Sequence, residues 1–277
     1  MSFSPTEVCF EGFRVTRHRF GAVMLWALVW LVGVIVVVVA AAPFILPLSE
    51  EIQAAQGNQA ALSPQAQAAL DTASYVVLPV LALLQGLLAP AVYRAVLRPQ
   101  DKSFGSLRLG RDEARITAVV FVIALISLVC QVGGEWLAVR AGELGGILLA
   151  MPVRLGVLVL TTWIALRLSL VAPATFAERK FAIRQALALS RRHLWPLLGI
   201  TIISTVMAML VLSLVVLTAW PAVAMIMTSG AAPGPWAPLA ALVVIAALPV
   251  ACALASVIVW APFAAAYRDL SINQPVG

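Results

Sequence analysis

Hydrophobic residues occur along this chain in long unbroken runs, which short polar segments separate. Apolar runs of about 18 residues or more predict transmembrane helices, because a helix satisfies its own backbone groups in lipid. The runs lack the alternation that is typical of a lipid-facing β-barrel. We therefore predict an all-α integral membrane protein with six transmembrane helices, at residues 21–46, 73–97, 116–139, 147–175, 195–227 and 237–267.

The composition leaves little room for a soluble domain. Of the 277 residues, 62% are hydrophobic and 11% are charged, whereas soluble domains carry about 25% charged residues. We predict one transmembrane domain over residues 1–277. The apolar run that starts at Gly21 is longer than the core of a signal peptide, so we expect a retained span although Ala40–Ala42 resembles a cleavage site.

The net charge of +6 is unevenly distributed. Basic residues cluster before span 1, between spans 2 and 3, and between spans 4 and 5, while residues 47–72 contain no Lys or Arg. This asymmetry is what the positive-inside rule describes. We predict a multi-pass protein of the bacterial inner membrane with both termini in the cytoplasm, and no nucleic-acid partner.

One short phrase recurs near the ends of spans 2, 4 and 6. It appears as "APAVYR", "APATFAER" and "APFAAAYR", which contain Pro90, Pro173 and Pro262. Each proline follows an alanine and precedes an aromatic residue and then an arginine. Proline leaves the carbonyl four residues earlier without its helical partner, so we expect helix kinks at these three positions.

Each outward span also follows a polar–apolar segment. The pattern predicts three hairpins that run in the same direction, each preceded by a cytoplasmic amphipathic helix, in units of about 4–98, 103–177 and 178–270. The segment before span 3 is the weakest, since it is short and contains two glycines. Chance accumulation of Ala-Pro pairs in an Ala-rich bundle is the alternative to this internal repeat.

Four arginines of these segments are candidates for contact with the lipid surface. They are Arg17, Arg184, Arg191 and Arg192. An amphipathic basic helix buries its apolar face at the headgroup boundary and places its cations against anionic lipid. The simpler role for these helices is to orient the spans and cap the bundle, and both roles stay open.

The candidate intramembrane polar site comprises Arg154, Arg167, Glu135 and Gln85. The two arginines are about 20 Å apart along one helix. Each can then extend its side chain to the nearer membrane surface. Alternatively one of them faces the bundle interior, where Arg154 would pair with Glu135 and Arg167 would meet Gln85. Gly133 and Gly134 would let another helix approach Glu135 closely.

Residues for catalysis or metal binding are not arranged in any familiar pattern. The two histidines, His18 and His193, lie beside arginines, and no carboxylate pair lies within a span. The three cysteines, Cys9, Cys130 and Cys252, form no metal-ligand spacing. We therefore predict a protein that is not an enzyme and that holds no cofactor and no metal.

The segment "RLSLVAPATFAERKFAIRQALALSRRHLWPLLGI" starts at Arg167 and carries a resemblance. Through Arg167, Pro173, Glu178, the face from Ala186 to Ser190, and Trp195, it resembles the membrane-domain superfamily of glycerophosphoryl diester phosphodiesterases. "LRLGRDEAR", at residues 107–115, also resembles uncharacterised stand-alone members. The resemblance implies a six-span inner-membrane protein. The catalytic barrel of the phosphodiesterases has no counterpart here, so their activity does not transfer.

Two classes of function remain. The first is a non-enzymatic membrane protein that organises lipid or supports a membrane complex, with lipids, a protein partner or a second copy of itself as partners. The second is a permease or channel-like protein for a small anionic or lipidic solute. The basic surface helices and the lack of a catalytic constellation favour the first class.

Overall fold

The computed structural model describes residues 5–55, 62–100, 107, 110–228 and 236–272. Over these residues the chain forms helices and no strands. Six helical segments are long and apolar enough to cross a membrane: Phe20–Ile52, Pro64–Leu97, Arg111–Gly145, Ile147–Glu178, Leu194–Met225 and Pro238–Ser271. The predicted fold class, an all-α membrane protein with six spans, is confirmed.

Individual helices divide these segments further. In chain order they are α1 (Pro5–Cys9), α2 (Glu11–His18), α3 (Phe20–Ile45), α4 (Ser49–Ala54), α5 (Pro64–Leu97), α6 (Arg111–Gly145), α7 (Ile147–Leu168), α8 (Val171–Glu178), α9 (Ile183–Arg192), α10 (Leu194–Thr228) and α11 (Ala237–Ile272). A 3-10 turn, Leu46–Leu48, joins α3 to α4.

The last helix, α11, lies at the centre of the packing. It contacts α2, α3, α5 and α10 extensively. On α3, Trp26 and Trp30 are both buried, and the Trp30 indole N–H donates to the Ser256 hydroxyl at 3.2 Å. An indole buried in an apolar core needs such a hydrogen-bond acceptor. The three helices α3, α5 and α11 therefore form a compact core.

The α6–α7 hairpin is the peripheral part of the bundle. Gly146 links the two helices with φ +62°, a conformation that favours glycine. A Cβ at Gly134 would collide with the Val157 side chain, so this glycine lets α7 approach α6. None of the most apolar window of span 4 is buried. Helix α7 thus rests mainly on α6 and exposes its apolar surface.

The N-terminal helices pack against the bundle. The Cys9 thiol is buried, lies 3.9 Å from the Ile200 carbonyl oxygen and has a raised pKa because of its burial. A Cβ at Gly12 would come within 2.8 Å of the Ile258 Cα. Close approach of α2 to α11 therefore depends on the missing side chain at Gly12. The N-terminal segment contacts both α10 and α11 through α1 and α2.

One helix boundary differs from the sequence-based expectation. Ser63 caps α5 by accepting a hydrogen bond from the Ala66 N–H at 3.2 Å, so α5 begins at Pro64, well before residue 73. The three prolines at which kinks are expected all lie within helices, Pro90 in α5, Pro173 in α8 and Pro262 in α11, and the chain leaves the helical path at Ser169–Leu170, before Pro173. Six residues of the amphipathic segment expected before span 3, at 103–106 and 108–109, lie outside the described residues.

Candidate functional site

The three recurring prolines lie at one end of the bundle, here called the proline end. Their neighbours pack together there: the Tyr93 ring contacts Trp260 edge to face at 5.9 Å between centroids and Phe176 at 6.4 Å. Tyr267 of α11 donates a hydrogen bond to the Glu178 carboxylate at 3.3 Å. The recurring phrase therefore supplies aromatic core residues that join α5, α8 and α11.

Arg94, the arginine of the phrase "APAVYR" near the end of span 2, is buried. It forms an ion pair with Glu113 of α6, and their exposed fractions are 4% and 8%. The Arg94 guanidinium also lies 5.8 Å from the centroid of the Phe176 ring. This pair was missed, although Arg94 lies one helical turn after the core-facing Pro90.

Four arginines have exposed side chains that do not pair with the rest of the described protein. Arg17, Arg184, Arg191 and Arg192 are exposed. None of their guanidinium groups makes a hydrogen bond or an ion pair with another described residue. Other basic residues at this end do have partners: Arg115 donates to the Arg179 carbonyl oxygen at 2.6 Å, for example. The four candidate lipid-contacting arginines are thus available to external anions.

Exposed aromatic residues accompany these arginines. Phe13 lies four residues before Arg17, and Trp195 lies four residues after Arg191. Phe181 lies three residues before Arg184. The exposed fractions of Phe13, Trp195 and Phe181 are 37%, 82% and 59%. Aromatic residues beside cations are typical of the membrane–water interface.

At the opposite end of the bundle, the Arg154 guanidinium meets the Glu135 carboxylate at 2.6 Å. About half of each side chain is exposed, with fractions of 51% and 59%. Gly134 allows the close approach of α7 at this level, whereas a Cβ at Gly133 would meet nothing within 4 Å. The pair therefore joins α6 to α7 in the half of the hairpin that is nearer to the Gly146 turn.

Arg167 lies next to α9 instead of Gln85. Its guanidinium donates to the Leu187 carbonyl oxygen at 3.4 Å and lies 5.2 Å from the centroid of the Trp163 ring. In return, the buried Ser190 hydroxyl donates to the Arg167 carbonyl oxygen at 3.1 Å. Arg167 thus holds α9 against the end of α7.

Gln85 lines a cleft between the helices. The cleft has a volume of about 560 Å³ and is lined by residues of α5, α6, α7, α8, α10 and α11. Buried Val120, Ala172 and Phe263 close it at the proline end, while exposed Leu78 and Gln131 lie at its other end. The cleft therefore opens away from the proline end.

The lining is apolar, with a few amide and hydroxyl groups and no ionisable side chain among the described residues. Its polar members are Gln85, Ser127, Gln131, Thr162, Ser169 and Thr201. The three hydroxyls of Ser127, Ser169 and Thr201 donate to carbonyl oxygens of nearby helical turns. Gln85, Gln131 and Thr162 make no side-chain hydrogen bond within the described ranges. These three groups are free to bind a ligand.

The chain matches no protein-family model, no curated protein and no solved structure. The function therefore has to be argued from the geometry of this bundle.

Proposed function

We propose that this chain is a non-enzymatic, multi-pass protein of the bacterial inner membrane that organises lipid at the cytoplasmic surface. The observation that carries this proposal is the set of exposed arginines, Arg17, Arg184, Arg191 and Arg192, that have no partner among the described residues. Each such cation near a membrane surface contributes about 1 kcal/mol of attraction to anionic lipid.

The proposal assigns the proline end to the cytoplasm, since the basic residues concentrate there. Both termini then lie in the cytoplasm, and α2 and α9 are the amphipathic surface helices of the first and third repeat units. Their exposed aromatic residues would enter the headgroup layer beside the arginines. The resemblance to the membrane domain of the phosphodiesterases is consistent with a lipid-related role that needs no catalytic barrel.

The test compares two variants of the purified full chain in nanodiscs that contain phosphatidylglycerol and phosphatidylethanolamine. Arginines 17, 184, 191 and 192 are replaced together by glutamine, and Arg140→Gln is the control. Arg140 is also exposed, but it lies at the opposite end and pairs with Glu143 at 2.8 Å. Native mass spectrometry measures the phosphatidylglycerol that stays bound as salt increases.

We expect the fourfold variant to lose most of its bound phosphatidylglycerol and its salt dependence, while Arg140→Gln behaves like the wild type. Equal retention by the fourfold variant and the wild type would overturn the proposal. A protein retained in stoichiometric amount would instead indicate support of a membrane complex.

A permease for a lipidic solute is the second candidate, and the cleft favours it. Polar groups within spans that face a cleft are typical of solute pathways. A small anion is a poorer substrate, because no cation lines the cleft among the described residues. Transport of a fluorescent lipid across proteoliposomes, abolished by a cleft-filling substitution, would support this second function.

A further inference from the structure

We infer that the cleft is a binding site for one acyl chain of a glycerophospholipid, with the headgroup at the mouth beside Arg154 and Glu135. This inference goes beyond the proposed role at the cytoplasmic surface, because it names a lipid that binds with its headgroup at the opposite end of the bundle. It rests on the shape of the cleft, on the side chains that lack partners inside it, and on the charges beyond its mouth.

The shape of the cleft suits a chain. On α6 the lining extends from Val120 to Gln131, which corresponds to about 16 Å at the rise of an α-helix. A volume of about 560 Å³ over that length gives a mean cross-section of about 35 Å². The cleft is therefore long and narrow, as an extended acyl chain requires.

The lining of the cleft favours a ligand, or part of a ligand, that is uncharged and mostly apolar. The wall includes Ala82, Ala124 and Leu128, and none of its described residues carries a charge. Amide groups without a partner are costly at membrane depth, so a ligand that accepts hydrogen bonds is favoured. The Gln131 amide at the open end and the nearby Thr162 hydroxyl can donate to the ester carbonyl of an acyl chain.

The mouth carries charges of both signs. Glu135 lies four residues after Gln131, so it continues the cleft-lining face of α6 by one helical turn. It holds Arg154 at 2.6 Å, and about half of each side chain is exposed. Arg154 can contact a lipid phosphate while Glu135 contacts an ammonium group. Phosphatidylethanolamine carries both of these groups, whereas phosphatidylglycerol lacks the ammonium.

The closed end of the cleft provides an optical probe. Trp260 lines it and contacts Tyr93 at the proline end. With the ester group at Gln131, the terminal methyl of the chain lies near Trp260. Bromine atoms quench tryptophan fluorescence over a short range. Bromines near the methyl end of the chain should therefore quench Trp260 more strongly than bromines near the ester.

The experiment uses the full chain, delipidated and then reconstituted with brominated phosphatidylethanolamine. Trp260 emission is obtained by subtracting the emission of a protein with Trp260→Phe from that of the same protein with Trp260 present. This subtraction is made for the wild type, for the Ala124→Phe protein and for the Ala118→Phe protein. Ala124→Phe fills the cleft. Ala118→Phe makes the same substitution at an exposed position of the same helix, outside the lining, and is the matched control.

We expect quenching of Trp260 by methyl-end bromines, lost in Ala124→Phe and unchanged in Ala118→Phe. Native mass spectrometry should show one phosphatidylethanolamine retained by the Ala118→Phe protein and lost from the Ala124→Phe protein. Three outcomes would overturn the inference: stronger quenching by bromines near the ester, equal quenching in the two variants, or preferential retention of phosphatidylglycerol at the cleft. The arginine substitutions at the proline end should leave this lipid bound, so the two proposals can fail separately.

Discussion

Arg94 of α5 and Glu113 of α6 form an ion pair that is almost completely buried at the proline end of the bundle. Removing two charges from water is expensive, and their mutual attraction offsets the cost only while both are present. Phe176 faces the same guanidinium. The pair therefore ties α5 and α6 together, with α8 packed beside them.

Loss of one partner of this pair should destabilise the bundle strongly. We expect Arg94→Met or Glu113→Leu to lower the free energy of unfolding by about 3–5 kcal/mol, since each leaves a buried charge unpaired. The double substitution should recover most of the loss because it removes both charges. Thermal unfolding in detergent, followed by circular dichroism, measures the three variants.

The exposed pair at the opposite end is the control. Arg154→Gln should lower the free energy of unfolding by only about 0–1 kcal/mol, because water solvates half-exposed charges well when their ion pair is broken. A double variant of Arg94 and Glu113 that is less stable than either single variant would contradict the account of the buried pair.

The approach of α2 to α11 gives a second prediction. Gly12→Ala places a Cβ against the Ile258 backbone, whereas Gly21→Ala meets nothing within 4 Å. We expect Gly12→Ala to cost about 1–3 kcal/mol, the usual range for overpacking, and Gly21→Ala to be neutral or slightly stabilising. Unfolding curves of the two variants make the comparison, and equal midpoints would show that α2 does not need the contact.

The reactivity of Cys9 gives a third prediction. In a variant in which Cys130 and Cys252 are serine, Cys9 should react slowly with N-ethylmaleimide at pH 8. Its thiol is buried and its pKa is raised by that burial, so less of the reactive thiolate is present. The rate should continue to rise with pH beyond the range in which free cysteine reaches its plateau.

Denatured protein provides the reference rate in that experiment. Adding Gly12→Ala should accelerate labelling of the folded protein if this substitution separates α2 from the bundle. Rapid labelling of the native protein at pH 8, equal to the denatured rate, would show that α1 does not bury the thiol.

Two adjacent glycines on α6 give a fourth prediction. Gly134→Val should separate α6 from α7, because its side chain would collide with Val157, while Gly133→Val points into open space. A disulfide formed between cysteines placed at Glu135 and Arg154 reports the separation. We expect efficient cross-linking with Gly133→Val and much weaker cross-linking with Gly134→Val, and the reverse order would refute the assignment of faces.

The proposed orientation gives a fifth prediction. Alkaline phosphatase is active only outside the cytoplasm, so its insertion after Gly57, between spans 1 and 2, should give an active fusion. Fusion after Gly277 should give an inactive one, while a green fluorescent protein at the same place should fluoresce. An active phosphatase at the C-terminal position would invert the proposed orientation.

The six spans were predictable because hydrophobic continuity is a local property that each segment shows without its neighbours. The same continuity hides which face of a span is buried, since lipid and protein interior select the same residues. The sequence therefore left open whether Arg167 faces Gln85, and the structure instead places it against Leu187 of α9. That contact depends on how the chain turns after the break at Ser169–Leu170.

Arg94 shows a different limit of sequence analysis. Its position at the end of an apolar run resembles that of a surface arginine, and its partner Glu113 lies on the other side of a polar segment. Arg94 and Glu113 meet only because α5 and α6 are aligned antiparallel. Thr117 contributes to that alignment by donating a hydrogen bond to the Gly86 carbonyl oxygen at 3.0 Å. The cleft likewise needs several helices at once, so the role of Gln85 in its lining was not predictable.

The central position of α11 has a consequence for biogenesis. The ribosome makes this helix after all of the helices that pack on it, so α2, α3, α5 and α10 are made before their common partner exists. Trp30 of α3 then lacks its hydrogen-bond acceptor, the Ser256 hydroxyl, until α11 arrives. Translation that stalls before residue 237 leaves five spans without the helix that joins them, and such a product is a substrate for membrane proteases.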